Sequence, residues 1–377
     1  MLSNVSAPVS ATRRYLFSEL IHEGASTVIY RGDLQAAGQF ARPVAVKLLR
    51  ASAAGSSAAE ARLRDEARLL GAIRHRAIVA VHGVVTLGGR LGIVMESVPG
   101  ADLATLLRRG PVPVASALEI VEELAGALDV AWRATQEDGQ PLRLTHRAVS
   151  PRAVRITPEG AVKLLGFDFA RADMASREAG TRALSRDFPL APELFAGDEG
   201  AAADVYALGA LLYHMVHGAA LPRLPSRADG HALALRQAAE ALEVAEPARA
   251  GLVSLLYATL AFNPAERQSA REIQRRAAEL RRRCGGTPLA AWAAGATRLA
   301  PASVRIGPPD PLVGSSFVEG QAAPPAAAPA SPAWDLPWTA LGVILGGAAV
   351  LTTGLILALV PILLKTGLGP LRALLAG

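Results

Sequence analysis

Between Thr145 and Ala172 the chain reads THRAVSPRAVRITPEGAVKLLGFDFARA. Few side chains here can do chemistry. Ala148 and Ala153 have no lone pair and no proton to give, and Ser150 has a hydroxyl but no charge. Gly166 has no side chain at all, and Asp168 follows two positions later. Elsewhere the reactive types are sparse. The seven histidines and one cysteine show no zinc-type spacing, and His214, His217 and His231 suggest no metal site. Cys284 stands alone, so no disulfide can form within these residues. Lys47 is different: it lies on an apolar run ending in "AVKLL".

The elements that must position these residues follow from periodicity. The first 49 residues give three alternating apolar runs separated by turn signals, which predicts three strands. "SAAEARLRDEARLLGAIRH" has helical spacing, with Ala61, Leu63, Ala67, Leu70 and Ile73 near one face. "RLGIVMESV" predicts a further strand, and the chain after Gly100 reads mostly helical to Arg283. Strands followed by helices imply an α+β order.

In order and spacing, residues 15 to 283 resemble a eukaryotic-type Ser/Thr protein kinase domain as found in bacteria. "VAVK" resembles the strand whose lysine, here Lys47, holds the nucleotide phosphates, and "RDEARLLGAIRH" the helix whose glutamate, here Glu66, pairs with it. "IVMESVPGADLATLL" resembles the hinge, with Met95 as gatekeeper. "LAPELFAG" resembles the A-P-E element ending in Glu193, and "NPAERQSA" the late loop whose arginine, Arg267, pairs with Glu193. "DVYALGALLYHMV" resembles the helix with Asp204 as its buried capping acid. His75 resembles a structural loop histidine. The resemblance implies a two-lobed fold, β-rich then α-rich, with a nucleotide site built from Gly24, Ile29, Ala45, Lys47, Glu66 and Met95.

The same resemblance exposes what is missing. The family pattern H-R-D-L-K-P-x-N lies over "HRAVSPRA". His146 and Arg147 match, whereas Ala148 stands for the catalytic Asp, Ser150 for the Lys and Ala153 for the metal-binding Asn. The D-F-G element reads "GFD": Gly166 replaces the metal-binding Asp, Phe167 is kept, and Asp168 lies about 6.6 Å along an extended chain from the ligand position. Magnesium needs oxygens at about 2.0–2.1 Å, so Asp168 is a weak metal candidate. G-x-G-x-x-G lies over "HEGAST", where only Gly24 remains, His22 and Thr27 taking the outer positions. Loss of a general base costs about 10²–10⁴ in rate, before the metal is counted. Three readings stay open: a pseudokinase acting by protein binding, a divergent active kinase using Lys47 and Asp168, and an ATP-binding sensor without turnover. ATP stays open as a ligand, and magnesium is in doubt. Ser176, Thr181 and Ser185 fall in the activation-segment region, where Arg147 could meet an added phosphate.

The remaining chain changes character. Residues 1–12 read as a flexible start, 13–284 as the kinase-like domain and 285–337 as a Pro/Ala-rich linker. Residues 338–364 then hold an uncharged apolar run. A bilayer needs about 20 such residues. Its fourteen Leu, Ile and Val each favour insertion by about 0.3 to 0.6 kcal/mol. The expectation is a single membrane-spanning helix followed by a short tail, 365–377. Lys365 and Arg372 would draw that tail to the cytoplasm. The absence of an export signal near the start places the large domain there instead. Gly342 and Gly346 form a G-x-x-x-G, a candidate dimer seam. The formal charge of +6 suits an anionic membrane better than nucleic acid. The basic run "AREIQRRAAELRRR" reads as a lipid-facing or a solvated helix face. The partners expected are other signalling proteins or kinases.

Overall fold

A computed structural model describes residues 13–36, 41–136, 138–167, 188–197, 200–298 and 310–321. The N-terminal lobe holds β1 (Arg14–Glu23), β2 (Thr27–Gln35), β3 (Ala41–Leu49), α1 (Ser57–Gly71), β4 (Val81–Leu87) and β5 (Arg90–Glu96). All pairings in this sheet are antiparallel. Alternation along β3 explains its continuous burial. Val44, Val46 and Leu48 enter one core with Tyr15, Phe17, Val28 and Tyr30. Ala45, Lys47 and Leu49 point the other way, toward α1 and the gap between the lobes. Leu49 packs there on Leu63 and Ala67 of α1.

On α1 the buried apolar residues are Leu63, Ala67, Leu69 and Leu70. Ala61 is exposed, which corrects the expected face. A 3.6-residue period through 63, 67 and 70 passes through Glu66, not 61, so the glutamate lies on the inward stripe. Ser56 caps the helix by accepting the Ala59 N–H at 3.4 Å.

The C-terminal lobe begins with β6 (Ala101–Asp102), α2 (Leu103–Leu107) and α3 (Val114–Arg133). β7 (Val154–Ile156) and β8 (Val162–Leu164) complete a second, three-stranded antiparallel sheet with β6. Then come α4 (Ala201–His217), α5 (Ala228–Glu240), α6 (Ala248–Leu260) and α7 (Ala270–Cys284). α3 and α4 are buried nearly all round and form the centre of one apolar core. Gly209 permits the close passage of α4 and α6: a Cβ there would lie 2.2 Å from Thr259 Oγ1. Ser269 and Glu272 make a reciprocal capping box at the start of α7. Several of its arginines are engaged within the chain: Arg281 with Glu122 at 3.1 Å, Arg276 with Gln268 and Ser254 at 2.7 Å.

The expected linker, 285–337, is corrected over part of its length. α8 (Leu289–Arg298) buries Leu289 and Ala293 in the C-lobe core. β9 (Ser316–Val318) then pairs antiparallel with β1 and extends the upper sheet to the order β4-β5-β3-β2-β1-β9. Just beyond it, the Gly320 N–H donates to Thr86 O of β4 at 3.1 Å, so the strap reaches both edges of the curled sheet. Phe317 seals the core beside Phe17, with ring centroids 5.2 Å apart. Asp310 accepts the Tyr30 hydroxyl at 3.0 Å. An overall Pro/Ala composition hid these few anchoring side chains.

Among the described residues no helix is long and apolar enough to cross a membrane. The expected span at 338–364, the tail at 365–377 and Gly342 and Gly346 lie outside the described residues.

Candidate functional site

Lys47 lies on β3 opposite Ile29 of β2 and Ile93 of β5. It is 3% exposed. Its ammonium donates to both Glu66 oxygens, at 2.9 and 2.8 Å. The inward stripe of α1 and the inward face of β3 thus meet in a nearly buried ion pair. Ala45 stands opposite Met95 and Arg31, so the expected nucleotide residues Ile29, Ala45, Lys47, Glu66 and Met95 share one wall. Gly24 lies at the turn between β1 and β2. Its N–H is used within the turn, donating to Thr27 O at 2.8 Å. Its carbonyl accepts from Arg50 at 3.1 Å, and Arg50 also pairs with Glu23 at 2.9 Å.

Below this wall the loop 145–153 is fixed by buried polar groups. Asp204 of α4 accepts the His146 and Arg147 backbone N–H groups, each at 2.7 Å. It therefore anchors the loop and does not cap its own helix, whose N-terminus is Gly200 with no side-chain cap. Burial pushes its carboxyl up to about 6, against the opposing pull of those two N–H donors and the Arg147 charge. Arg147 adopts a left-handed backbone with φ 65°, a conformation the anchor stabilises. His146 is wholly buried; its Nε2 bonds Leu165 O at 2.8 Å and its Nδ1 faces the Ala148 N–H at 3.3 Å. That pattern assigns a neutral ring with the proton on Nε2. Phe167 packs edge-on against it at 4.5 Å and is 4% exposed.

The four degenerate positions converge on this frame. Ala148 and Ser150 are buried beside Asp204, around a cavity of about 20 Å³ also lined by Phe188 and Leu190. That is room for about one water. Ala153 O accepts the Leu165 N–H at 2.8 Å, which brings the Asn position next to the D-F-G position. Gly166 has φ 86°, and a Cβ added there would meet nothing within 4 Å. Ala148, Ala153 and Gly166 offer no side-chain oxygen to a metal. The donor set does not fit magnesium. Asp168, Ser176, Thr181 and Ser185 lie outside the described residues. Among the described residues no group of three metal-type ligands occurs.

Further down, Arg267 donates to Glu193 at 2.5 and 2.8 Å and to the carbonyls of Ala261, Ala202 and Phe262. Its guanidinium lies 4.9 Å from the Tyr206 ring centroid. Burial raises the Tyr206 hydroxyl well above its ordinary value. The expected Glu193–Arg267 pair is thus made, fully enclosed. His75 accepts the Ala77 N–H at 3.1 Å, a structural role.

Sequence reasoning missed three features of the site. Lys163 of β8 pairs with Glu96 at the end of β5, at 2.7 Å. Arg155 of β7 bonds the carbonyls of Pro99 and Gly100. Arg50 holds the turn at Gly24. Arg155 and Lys163 carry the same faint signal, a charge between two apolar residues in "VRI" and "VKL", on strands too short for alternation to register.

The family model "Protein tyrosine and serine/threonine kinase" matches residues 16–277. The chain is 34% identical over 209 residues to the Serine/threonine-protein kinase PknL of Mycobacterium bovis, covering 54% of this chain and 49% of that protein. It is 31% identical over 263 residues to the Tyrosine-protein kinase MasK of Myxococcus xanthus, covering 67% of this chain and 40% of that one. The chain therefore spans about half or less of the length of these relatives. The crystal structure of the Mycobacterium tuberculosis PknI kinase domain aligns with 27% identity and a TM-score of 0.49, over 71% of this chain and 95% of that one. With a family model matching well over half of its residues, the chain belongs to the protein tyrosine and serine/threonine kinase family.

Proposed function

We propose that this kinase-family domain does not transfer phosphate and acts by binding other signalling proteins. One observation carries the reading. The three positions where the family resemblance requires a proton acceptor and two metal ligands are all Ala or Gly: Ala148, Ala153 and Gly166. Phosphoryl transfer depends on positioning and on neutralising charge at the transferred group. Positioning survives here in Lys47, Glu66 and the Asp204-anchored loop. Charge neutralisation by metal has no ligands in the described site, and electrostatic stabilisation of that kind usually contributes most to the rate.

The apolar run at 338–364 anchors the domain to a membrane in this reading, as a single span with the kinase-like domain in the cytoplasm. The strap shortens the tether. Residues 322–337 separate the folded strap from that run, and sixteen residues can reach at most about 53–58 Å. The domain stays close enough to the bilayer to meet membrane-bound partners, including a second copy through Gly342 and Gly346.

The test is incubation of the full chain with labelled ATP, magnesium and a general Ser/Thr acceptor. The expected result is incorporation no greater than in Lys47→Ala. Transfer that disappears in Lys47→Ala would overturn the reading. Truncation before Thr339 should move the protein from the membrane to the soluble fraction.

A further inference from the structure

The C-lobe presents a charged group to the gap between the lobes. Val154 and Ile156 of β7 are wholly buried in the lower core. Strand alternation therefore projects Arg155 from the opposite face. Its Nη2 donates to Gly100 O at 2.5 Å and its Nε lies 3.4 Å from Pro99 O. These carbonyls belong to the segment that joins the lobes. Gly100 lets that segment press on β7: its φ is 92°, and a Cβ would lie 2.0 Å from Ile156 O. Asp102 is the cross-strand partner of Arg155.

The N-lobe side of the gap is charged as well. Glu19 and Arg31 pair at 2.7 Å, and Arg31 stands opposite Ala45 on β3. Both act electrostatically on Arg155. Burial pulls Arg155 below the ordinary guanidinium range, but the group stays charged.

A purine slot needs a flat apolar floor and free polar groups at one edge. Ile29 and Ala45 supply an apolar upper wall. The opposing floor is a guanidinium, and the Pro99 and Gly100 carbonyls at the edge already accept from it. Arginine can stack on a ring when its plane is free to turn. Here Nη2 and Nε are directed at the Gly100 and Pro99 carbonyls, which hold the plane against the connecting segment. We propose that Arg155 fills the base-binding side of the interlobe cleft, so that the native chain excludes purine nucleotides. This goes beyond the loss of turnover. The missing metal ligands remove the reaction, whereas Arg155 removes the nucleotide itself.

The experiment is calorimetric titration of ATP, with magnesium and with EDTA, into the full chain in detergent. Native protein is compared with Arg155→Leu and Arg155→Met. Met keeps an unbranched stem and carries the test if Leu does not fold; a cooperative melt establishes folding in each. The expected result is no saturable binding by the native chain up to about 1 mM, and binding at least about tenfold tighter in the variants. Equal binding by native and variant protein, or none by the folded variants, would overturn the inference. Saturable native binding without phosphate transfer would sink this inference and leave the proposed function standing.

Discussion

The Glu193–Arg267 bridge and the cluster at Ala148, Ala153 and Gly166 belong to one lobe and have opposite character. The bridge is complete: two charge-assisted bonds, three further carbonyl acceptors and an aromatic face, all enclosed. The other three positions carry no functional side-chain atoms. Buried ion pairs of this kind cost desolvation and persist only when every donor is satisfied. Drift without selection on the fold would leave half-made pairs. The groups made here fix shape, which is what the proposed binding function needs.

The contrast can be broken most forcefully at the bridge. Arg267→Ala leaves the Glu193 carboxylate enclosed with no counter-charge. The expected loss is about 3–5 kcal/mol, read as a lowered denaturant midpoint. A loss under about 1 kcal/mol would place the bridge among ordinary surface pairs.

Asp204 gives a pH signature. Its carboxyl titrates near 6 in the folded chain, against an ordinary value of 3.8. The folded state holds the proton over that interval and the unfolded state does not. This group's contribution to stability is therefore full below about pH 4, falls as pH rises to about 6 and is level above it. The drop is on the order of 3 kcal/mol. Urea midpoints between pH 4 and 7 should show that slope in native protein and lose it in Asp204→Asn. An unchanged slope in the variant would assign it to another group.

A smaller effect is expected at the top of the cleft. Lys47→Met removes the partner of Glu66, whose side chain is 12% exposed and can reach water. The expected cost is about 1–3 kcal/mol. Arg76→Ala, at a pair with Glu123 whose arginine is 79% exposed, should cost under about 1 kcal/mol. If Lys47→Met costs no more than Arg76→Ala, the upper pair is not part of the retained framework.

Much of the framework was legible in the sequence through its resemblance to the kinase pattern. Lys47, Glu66, Glu193, Asp204 and Arg267 all fall where the kinase pattern places them. The strap was not legible. Its anchors, Leu289, Asp310 and Phe317, are scattered through a stretch where Pro and Ala dominate, and a three-residue strand carries no periodicity of its own. Arg155 was hidden for a similar reason: β7 is three residues long, too short for alternation to register against the helices around it. The capping role expected of Asp204 failed because helix position alone does not say which backbone a buried carboxylate will reach.

The most direct test of the account is to supply the missing atoms. Ala148→Asp, Ala153→Asn and Gly166→Asp would be combined in an Arg155→Leu background and assayed for labelled phosphate transfer beside the native chain. A Cβ at Gly166 meets none of the described residues within 4 Å, and Asp tolerates its left-handed backbone better than most residues. The account predicts transfer by the rebuilt protein, abolished by Lys47→Ala, and none by the native chain. Transfer by the native chain at the rebuilt protein's rate would contradict it.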